Sequence, residues 1–341
     1  LIAPHRCDET INDVHIRSVP TASTRWQRMS HVVAAVYRRA VEEDADLYHF
    51  HDPELIPLAL QLRRKNKKVI YDVHEDYPST IRYSSWLPRR IRGTASWCFR
   101  YLERYASNRF SALIGANPEI TKRISRFNPH TITIGNYPAL ADYPFAPRFD
   151  RARYAAGTLV SFGGVSARTC THAIVQALGL LPATVKANLL LGGGVWSEAL
   201  LAAVTHEEGW SRVTYAQQLP VSVMLERLLT ASIAFIVFSP EPNHFGVGAN
   251  RFFEALAAGV PVVTSDFPNW KELVNEVGCG ITVSPTDPRA IADAVAYLLS
   301  HPDEAEEMGR RGYEMAAKEF NWELESCKLD HLYKKLLDGH Q

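Results

Sequence analysis

From residue 46 onward, short runs rich in valine and isoleucine alternate with stretches whose apolar residues recur every three or four positions. In "DADLYHFHDPELIPLALQLRRKNKKVIYDVHEDYP" the order reads strand, helix, strand: "DLYHF" first, then a helix with Asp52 as its cap and Pro53 at its first position, then "KKVIYDV". A helix between consecutive strands is long enough to carry the chain back across the sheet, so such strands pair in parallel. The pattern continues through a basic, aromatic helix near 86–109, the strand "SALIGA", a helix near 118–126 and the strand "TITIGN". Before residue 46, "LIAPHRCDE" looks like the end of a strand, "VHIRSVP" reads as a short strand and 25–43 as a helix. The abrupt opening leads us to expect upstream sequence, with a first strand and helix missing from the first domain.

Residues 137–157 carry three prolines and little periodicity, which marks a linker. The alternation then restarts with "TLVSFGG", "ANLLLGGG", "RVTYA" and "SIAFIVFS" as strands separated by helices, and "CGITVSP" as a last short strand before a helical tail from 288 to 337. A chain of 341 residues accommodates two such cores. The reading is α/β, with two doubly wound Rossmann-like domains facing across a cleft. The first domain takes residues 1–145 and the second 146–320, with 321–341 a C-terminal helix for which packing back on the first domain is one option.

The stretch "GANRFFEALAAGVPVVTSDFP", residues 248–268, opens as a helix capped by Asn250 and closes as a strand. At helical spacing Asn250, Arg251 and Glu254 share a face, and the other face is apolar. A helix N-terminus favours an anion, so this stripe suits a ligand with phosphate at one end and hydroxyls at the other. A surface pair between Glu254 and Arg251 is the other reading of the same residues. Gly163 and Gly164 end the first strand of the second domain, where a bare backbone can approach a ligand, and Arg168 follows at the mouth of the next helix. In the first domain His49, His51 and His74 lie at or near strand ends. His49 and His51, two apart, would share a face, which leaves open a metal site or, for His49, a satisfied core histidine. No GxSxG, Walker A or GxGxxG pattern is present.

These residues carry a family resemblance. "SFGGVSAR", "EALAAGVPVVTSDFPNWKELV", "GCGITVSPTDPRAIADAV" and the "FNW" tail resemble glycosyltransferase family 4, retaining enzymes of the GT-B fold, while "ADLYHFHDPELIP" and "KKVIYDVHEDYP" resemble a bacterial branch active in polysaccharide assembly. The resemblance implies that Glu254 binds the nucleotide ribose, that Arg168 neutralises the diphosphate with Arg251 as a second cation, and that His74 contacts the donor sugar. It places the nucleobase against residues 215–219, which include Tyr215 and Gln217, with Gly163, Gly164 and Asn250 completing the donor site. Where the family carries a first glutamate, eight residues before Glu254, this chain has Gly246, and Glu241 and His244 are the candidates to reach the sugar instead.

The implied activity is a retaining hexosyltransferase using a nucleotide diphosphate sugar and a glycan, lipid-linked or small-molecule acceptor, with no cofactor and no metal. No acidic DxD motif closes any of the strands, and no nucleic-acid partner is expected. A non-catalytic nucleotide-sugar-binding subunit and a His-based metallohydrolase are the alternatives. Five scattered cysteines without a CxxC point to a reducing cytoplasm. Net charge is zero, but residues 1–148 hold 22 Lys+Arg against 15 Asp+Glu and the rest 15 against 22. The helix near 86–105, with Trp86, Trp97, Phe99, Tyr101 and five arginines, reads either as a peripheral contact with the inner membrane face or as a helix packed on its own sheet.

Overall fold

The computed structural model describes residues 1–24, 27–84, 86–241, 244–246 and 248–338. It divides into two compact units, residues 1–134 with 328–341, and residues 135–327. The sequence reading puts the first boundary at 145/146, inside the proline-rich segment. That segment instead packs with the second unit: Tyr137, Leu140 and Tyr143 lie against the cluster containing Phe252 and Phe253.

The first unit is built on strands β1 (Ile2–Pro4), β2 (Glu9–Ile11), β3 (Val14–Val19), β4 (Leu47–Phe50), β5 (Lys68–Val73), β6 (Ala112–Gly115) and β7 (Thr131–Thr133). β4-β5-β6-β7 form an all-parallel sheet, and β1-β3-β2 a separate small one in which β3 pairs in parallel with β1 and antiparallel with β2. Period-two alternation gives the four-stranded sheet two buried faces. Phe50, Val69, Tyr71, Val73 and Leu113 face one core with Ile56 and Leu62 of the Ile56–Arg64 helix. Ile70, Ala112, Ile114 and Ile134 face the other, which Leu329, Leu332, Tyr333 and Leu336 of the closing helix cover. Three local expectations shift. The helix read over 25–43 begins as a π-turn at Arg28–Val32 and is α-helical over Val33–Glu43, and its residues 25 and 26 lie outside the described residues. Asp52 sits at the expected cap position, but its carboxylate bonds Arg28 at 2.9 Å rather than a helix N–H, and a 3₁₀ turn at Pro53–Leu55 precedes the α-helix. The basic helix read near 86–109 spans Arg89–Ser107, and a short helix at Tyr77–Tyr83, which the pattern did not suggest, precedes it.

The second unit carries β8 (Thr158–Ser161), β9 (Asn188–Gly192), β10 (Val213–Ala216), β11 (Ile233–Ile236), β12 (Val262–Ser265) and β13 (Gly280–Val283). They form one parallel sheet in the order β10-β9-β8-β11-β12-β13. This is the Rossmann order, which reverses direction between β8 and β11. Its helices include Pro268–Val277, which buries Trp270, Val274 and Val277 and which the strand-and-helix pattern did not suggest. The segment read as a linker includes a short helix, Arg151–Ala155. Its Arg153 is buried and donates to the carbonyls of Arg148, Ala231 and Ala258, so the guanidinium closes chain ends that would otherwise be unsatisfied.

Candidate functional site

In an open parallel sheet, ligands bind beyond the carboxyl ends of the strands where the order reverses. Here that point lies between β8 and β11, and the loops that follow these two strands carry Gly163, Gly164, Arg168, Glu241 and His244.

The two glycine turns are knitted together. Gly164 has φ +70°, and its N–H donates to the Gly192 carbonyl at 2.9 Å, while Val165 N–H reaches the Gly194 carbonyl at 3.0 Å. A Cβ on Gly164 would stand 2.2 Å from that Gly194 oxygen, so only glycine fits. Gly163 faces elsewhere: a Cβ there would meet Thr169 Cγ2 at 2.5 Å and an Arg251 guanidinium nitrogen at 3.3 Å. Arg251 therefore lies against the bare backbone of the turn. The "LGGG" stretch acts as the partner that shapes the Gly164 turn.

Arg168 reaches the loop after β11. Its Nη2 lies 3.2 Å from His244 Nε2, and its Nε 4.0 Å from a Glu241 oxygen. His244 Nδ1 is 2.8 Å from the Ser239 carbonyl, which can only accept, so Nδ1 carries the proton and Nε2 accepts from Arg168. Trp270 Nε1–H donates to the His244 carbonyl and fixes that residue from behind. Arg168 and Glu241 are more than half exposed, and at 4.0 Å their attraction is weak enough for an anionic ligand to displace. Around Gly246 a side chain would find open space. Residues 242, 243 and 247 of the same loop lie outside the described residues.

The Asn250–Ala257 helix follows directly. Asn250 is its first residue rather than its cap: Ala249 occupies the cap position, and no side chain closes the first turn. The leading N–H groups are therefore not met by a capping side chain. Phe252, Phe253, Ala255 and Leu256 bury the inner face. Among the described residues, Arg251 and Glu254 form no side-chain hydrogen bond and no ion pair within 4.0 Å, which sets aside the surface-pair reading. Arg251 is exposed, and the atoms packed around its base lower its pKa while Glu254 opposes the shift. Burial likewise raises the pKa of half-buried Glu254, and Arg251 opposes. The Tyr143 hydroxyl donates to the Glu254 carbonyl at 2.9 Å and pins the helix from the former linker. A cavity of about 320 Å³ lies against Asn250 and Glu254, lined also by Asn136, Tyr137, Pro138 and Trp322. After β10, Gln217 is exposed, and the Tyr215 hydroxyl donates to the Gly193 carbonyl at 3.0 Å.

In the first unit the structure brings His49, His51 and His74 around one residue the sequence reading did not single out, Asp72. Its Oδ2 lies 3.2 Å from His49 Nε2, 3.2 Å from His51 Nδ1 and 3.4 Å from His74 Nε2. His49 Nδ1 is 2.6 Å from the Tyr333 hydroxyl, so His49 is satisfied on both sides. Burial pushes the Asp72 pKa up, but the three histidine hydrogen bonds outweigh it and hold the carboxyl well below the usual range. The bond to Asp72 raises the His74 pKa against the effect of burial. His49, His51 and Asp72 present ligand atoms within 4.8 Å of one another and are the described residues able to hold a metal ion. The parity of positions 72 and 74 on one strand was the available signal for Asp72.

Two family models match the chain: glycosyl transferases group 1 over residues 158–315, and a glycosyl transferase 4-like domain over residues 3–134. Similar curated proteins include the glycogen synthase of Mycobacterium tuberculosis, 26% identical in an alignment of 300 residues that covers 84% of this chain and 68% of that protein. A GDP-mannose-dependent alpha-(1-6)-phosphatidylinositol monomannoside mannosyltransferase of the same species is 29% identical over 191 residues, 52% of this chain and 48% of that protein. Among solved structures, sucrose-phosphate synthase from Thermosynechococcus elongatus superposes with TM-score 0.76 at 19% identity, covering 97% of this chain and 85% of that one. Anabaena HepE in complex with UDP gives TM-score 0.69 at 16% identity, covering 94% and 86%.

Proposed function

The chain belongs to glycosyltransferase family 4 and has the GT-B fold, and from that premise we propose that it moves a hexosyl unit from a nucleotide diphosphate sugar to an acceptor hydroxyl, with retention at the anomeric carbon. We assign it to assembly of a cell-surface polysaccharide or another glycoconjugate, in the cytoplasm. The observation that carries this reading is the pair Arg251 and Glu254: opposite charges, without a side-chain hydrogen bond or ion pair within 4.0 Å among the described residues, Arg251 exposed and Glu254 half-buried, at an uncapped helix start beside the bare Gly163 turn.

Arg251, Arg168, the Gly163–Gly164 backbone and the first N–H groups of the Asn250–Ala257 helix would hold the diphosphate and stabilise the charge that grows on it as the glycosidic bond breaks. Glu254 would accept both ribose hydroxyls, and residues 215–219 would flank the base. Glu241 and His244, already gathered around Arg168, stand in for the glutamate absent at Gly246. His74 keeps the role that the resemblance implies, contact with the donor sugar. Retention follows from attack on the face the diphosphate leaves, with the leaving phosphate taking the acceptor proton, so no protein base is assigned.

A thermal-shift screen of nucleotide sugars, followed by analysis of the product and its anomeric configuration, tests the proposal. Turnover with retention supports it. Donor binding without turnover would mean a binding subunit, and an inverted product would refute the stereochemistry. Transfer needs no metal on this reading, so exhaustive chelation should leave the rate undiminished. Complete loss, restored by one divalent ion, would favour the hydrolase-like metal chemistry instead.

A membrane-surface role for the Arg89–Ser107 helix belongs to the same proposal. Trp97, Tyr101 and Tyr105 are exposed among Arg89, Arg90, Arg100 and Arg104, while the helix's one acid, Glu103, is fully buried and paired with Arg123. The outer face is therefore basic and aromatic throughout, complementary to anionic headgroups, each arginine contributing up to about 1 kcal/mol near such a surface. Flotation with anionic vesicles at low salt should carry the protein up, and zwitterionic vesicles should not. Absence of flotation with anionic lipid would end the assignment. Among the described residues no helix is long and apolar enough to cross a membrane.

A further inference from the structure

We propose that His49, His51 and Asp72, with a fourth position open to water, form a binding site for one divalent transition cation of the zinc type. The sheet builds the site. β4 pairs with β5 so that His49 stands opposite Ile70 and Phe50 opposite Tyr71; continuing that register sets His51 beside Asp72. Period-two alternation then puts His49, His51, Asp72 and His74 on one face, at the carboxyl ends of adjacent parallel strands. Two strands thus supply a block of four side chains without a loop having to fold around the ion.

The spacing fits the chemistry. Zinc bound to nitrogen and oxygen at about 2.0–2.1 Å in tetrahedral geometry sets its ligand atoms about 3.3–3.4 Å apart. Around Asp72 Oδ2 the His49 and His51 nitrogens both lie at 3.2 Å, and the three ligand atoms lie within 4.8 Å of one another. His51 Nδ1 also stands 2.8 Å from His74 Nε2, a contact it gives up to take the ion. His51 can make that move, because its side chain is 57% exposed. His49 is held from outside as a metal-bound histidine usually is: its other nitrogen meets the Tyr333 hydroxyl at 2.6 Å, which can accept the ring proton and turn the Nε2 lone pair inward.

A second observation points the same way. Asp72 is 8% exposed, and its Oδ1 is buried with no hydrogen-bond partner. The charge partners at the other oxygen are three imidazoles, which are neutral unless protonated. A dication in their midst would compensate the carboxylate directly. Two imidazole nitrogens and one carboxylate oxygen select a borderline ion such as Zn²⁺ over Mg²⁺ or Ca²⁺, which take oxygen ligands. On the functional reading above, which this consequence alone rests on, the ion is no participant in transfer. It would draw His51 Nδ1 away from His74 Nε2 and so alter the setting of the histidine assigned to the donor sugar.

The test uses the full chain without any donor, so its outcome is independent of whether the transferase reading holds. Co²⁺ and Zn²⁺ are titrated separately and followed by visible absorption and calorimetry. One equivalent should bind, with the Co²⁺ spectrum of a tetrahedral nitrogen and oxygen site. Thiolate charge-transfer bands should be absent, which separates this site from the exposed Cys7, Cys98 and Cys327. His51→Ala, at an exposed position, and Tyr333→Phe should each weaken binding by about tenfold or more, with circular dichroism unchanged. Failure to bind one equivalent, thiolate bands, or Zn²⁺ affinity unaffected by His51→Ala would each overturn the proposal.

Discussion

Replacing Glu254 by alanine should weaken nucleotide-sugar binding by more than roughly 100-fold while leaving the chain folded. The magnitude follows from two charge-assisted hydrogen bonds to neighbouring ribose hydroxyls, each worth about 1.5–3 kcal/mol, in a place where the hydroxyls would otherwise face an apolar gap. The fold should tolerate the change, because the Glu254 carboxylate makes no side-chain hydrogen bond or ion pair within 4.0 Å among the described residues. Its contact with Tyr143 runs through the backbone carbonyl, which alanine keeps. A surface ion pair would behave oppositely, with a cost below about 1 kcal/mol and an indifferent ligand. Glu254→Gln, which retains an acceptor oxygen without the charge, should fall between. Because burial raises the Glu254 pKa, native affinity should also decline on acidification sooner than an ordinary glutamate would allow, and that component should vanish in Glu254→Gln. Calorimetry across pH measures all three proteins.

Arg251→Ala should reduce affinity for the nucleoside diphosphate by roughly 10- to 150-fold, the equivalent of one charge-assisted contact. Arg251 is exposed at the helix start against the Gly163 turn and has no ion-pair partner within 4.0 Å among the described residues. Its charge is thus available to a phosphate lying on the Gly163 turn. Arg251→Lys should recover only part of the loss, since an ammonium cannot reproduce the two-pronged geometry of a guanidinium. Arg168→Ala should cost less than Arg251→Ala, because Arg168 is more than half exposed and already shared with His244 and Glu241. Unchanged binding of the diphosphate in both alanine variants would mean that the phosphate lies elsewhere.

The parallel sheets were legible because their strands are buried on both faces and read as apolar runs with helices between them. "KKVIYDV" and "SIAFIVFS" became β5 and β11 with little error. Local polar details were harder. Asp52 and Asn250 both have the chemistry of a helix cap, but Arg28 claims the Asp52 carboxylate and Ala249 takes the position before Asn250. Each outcome depends on neighbours distant in sequence or on one residue of register. The proline-rich segment read as a free linker because its aromatics have no periodicity, yet Tyr137 and Tyr143 pack against the Phe253 helix. The site was legible as a set of residues and not as an arrangement. The Gly192–Gly194 turn was known only as a second glycine run, whereas it is the surface on which Gly164 is moulded. Asp72 passed unnoticed because a carboxylate inside an apolar strand gains meaning only when the adjacent strand brings His49 and His51 beside it.

The central claim, that Glu254 holds the ribose of a nucleotide diphosphate sugar, is tested most directly by a double-mutant cycle. Native protein and Glu254→Ala are each titrated with the donor and with its 2′-deoxyribose analogue. If the carboxylate touches that hydroxyl, the analogue binds the native protein much more weakly than the donor does. It loses far less against Glu254→Ala, where the partner is already gone. A coupling of about 1.5 kcal/mol or more between the two changes is the predicted result. Losses that simply add would place the ribose away from Glu254 and contradict the account.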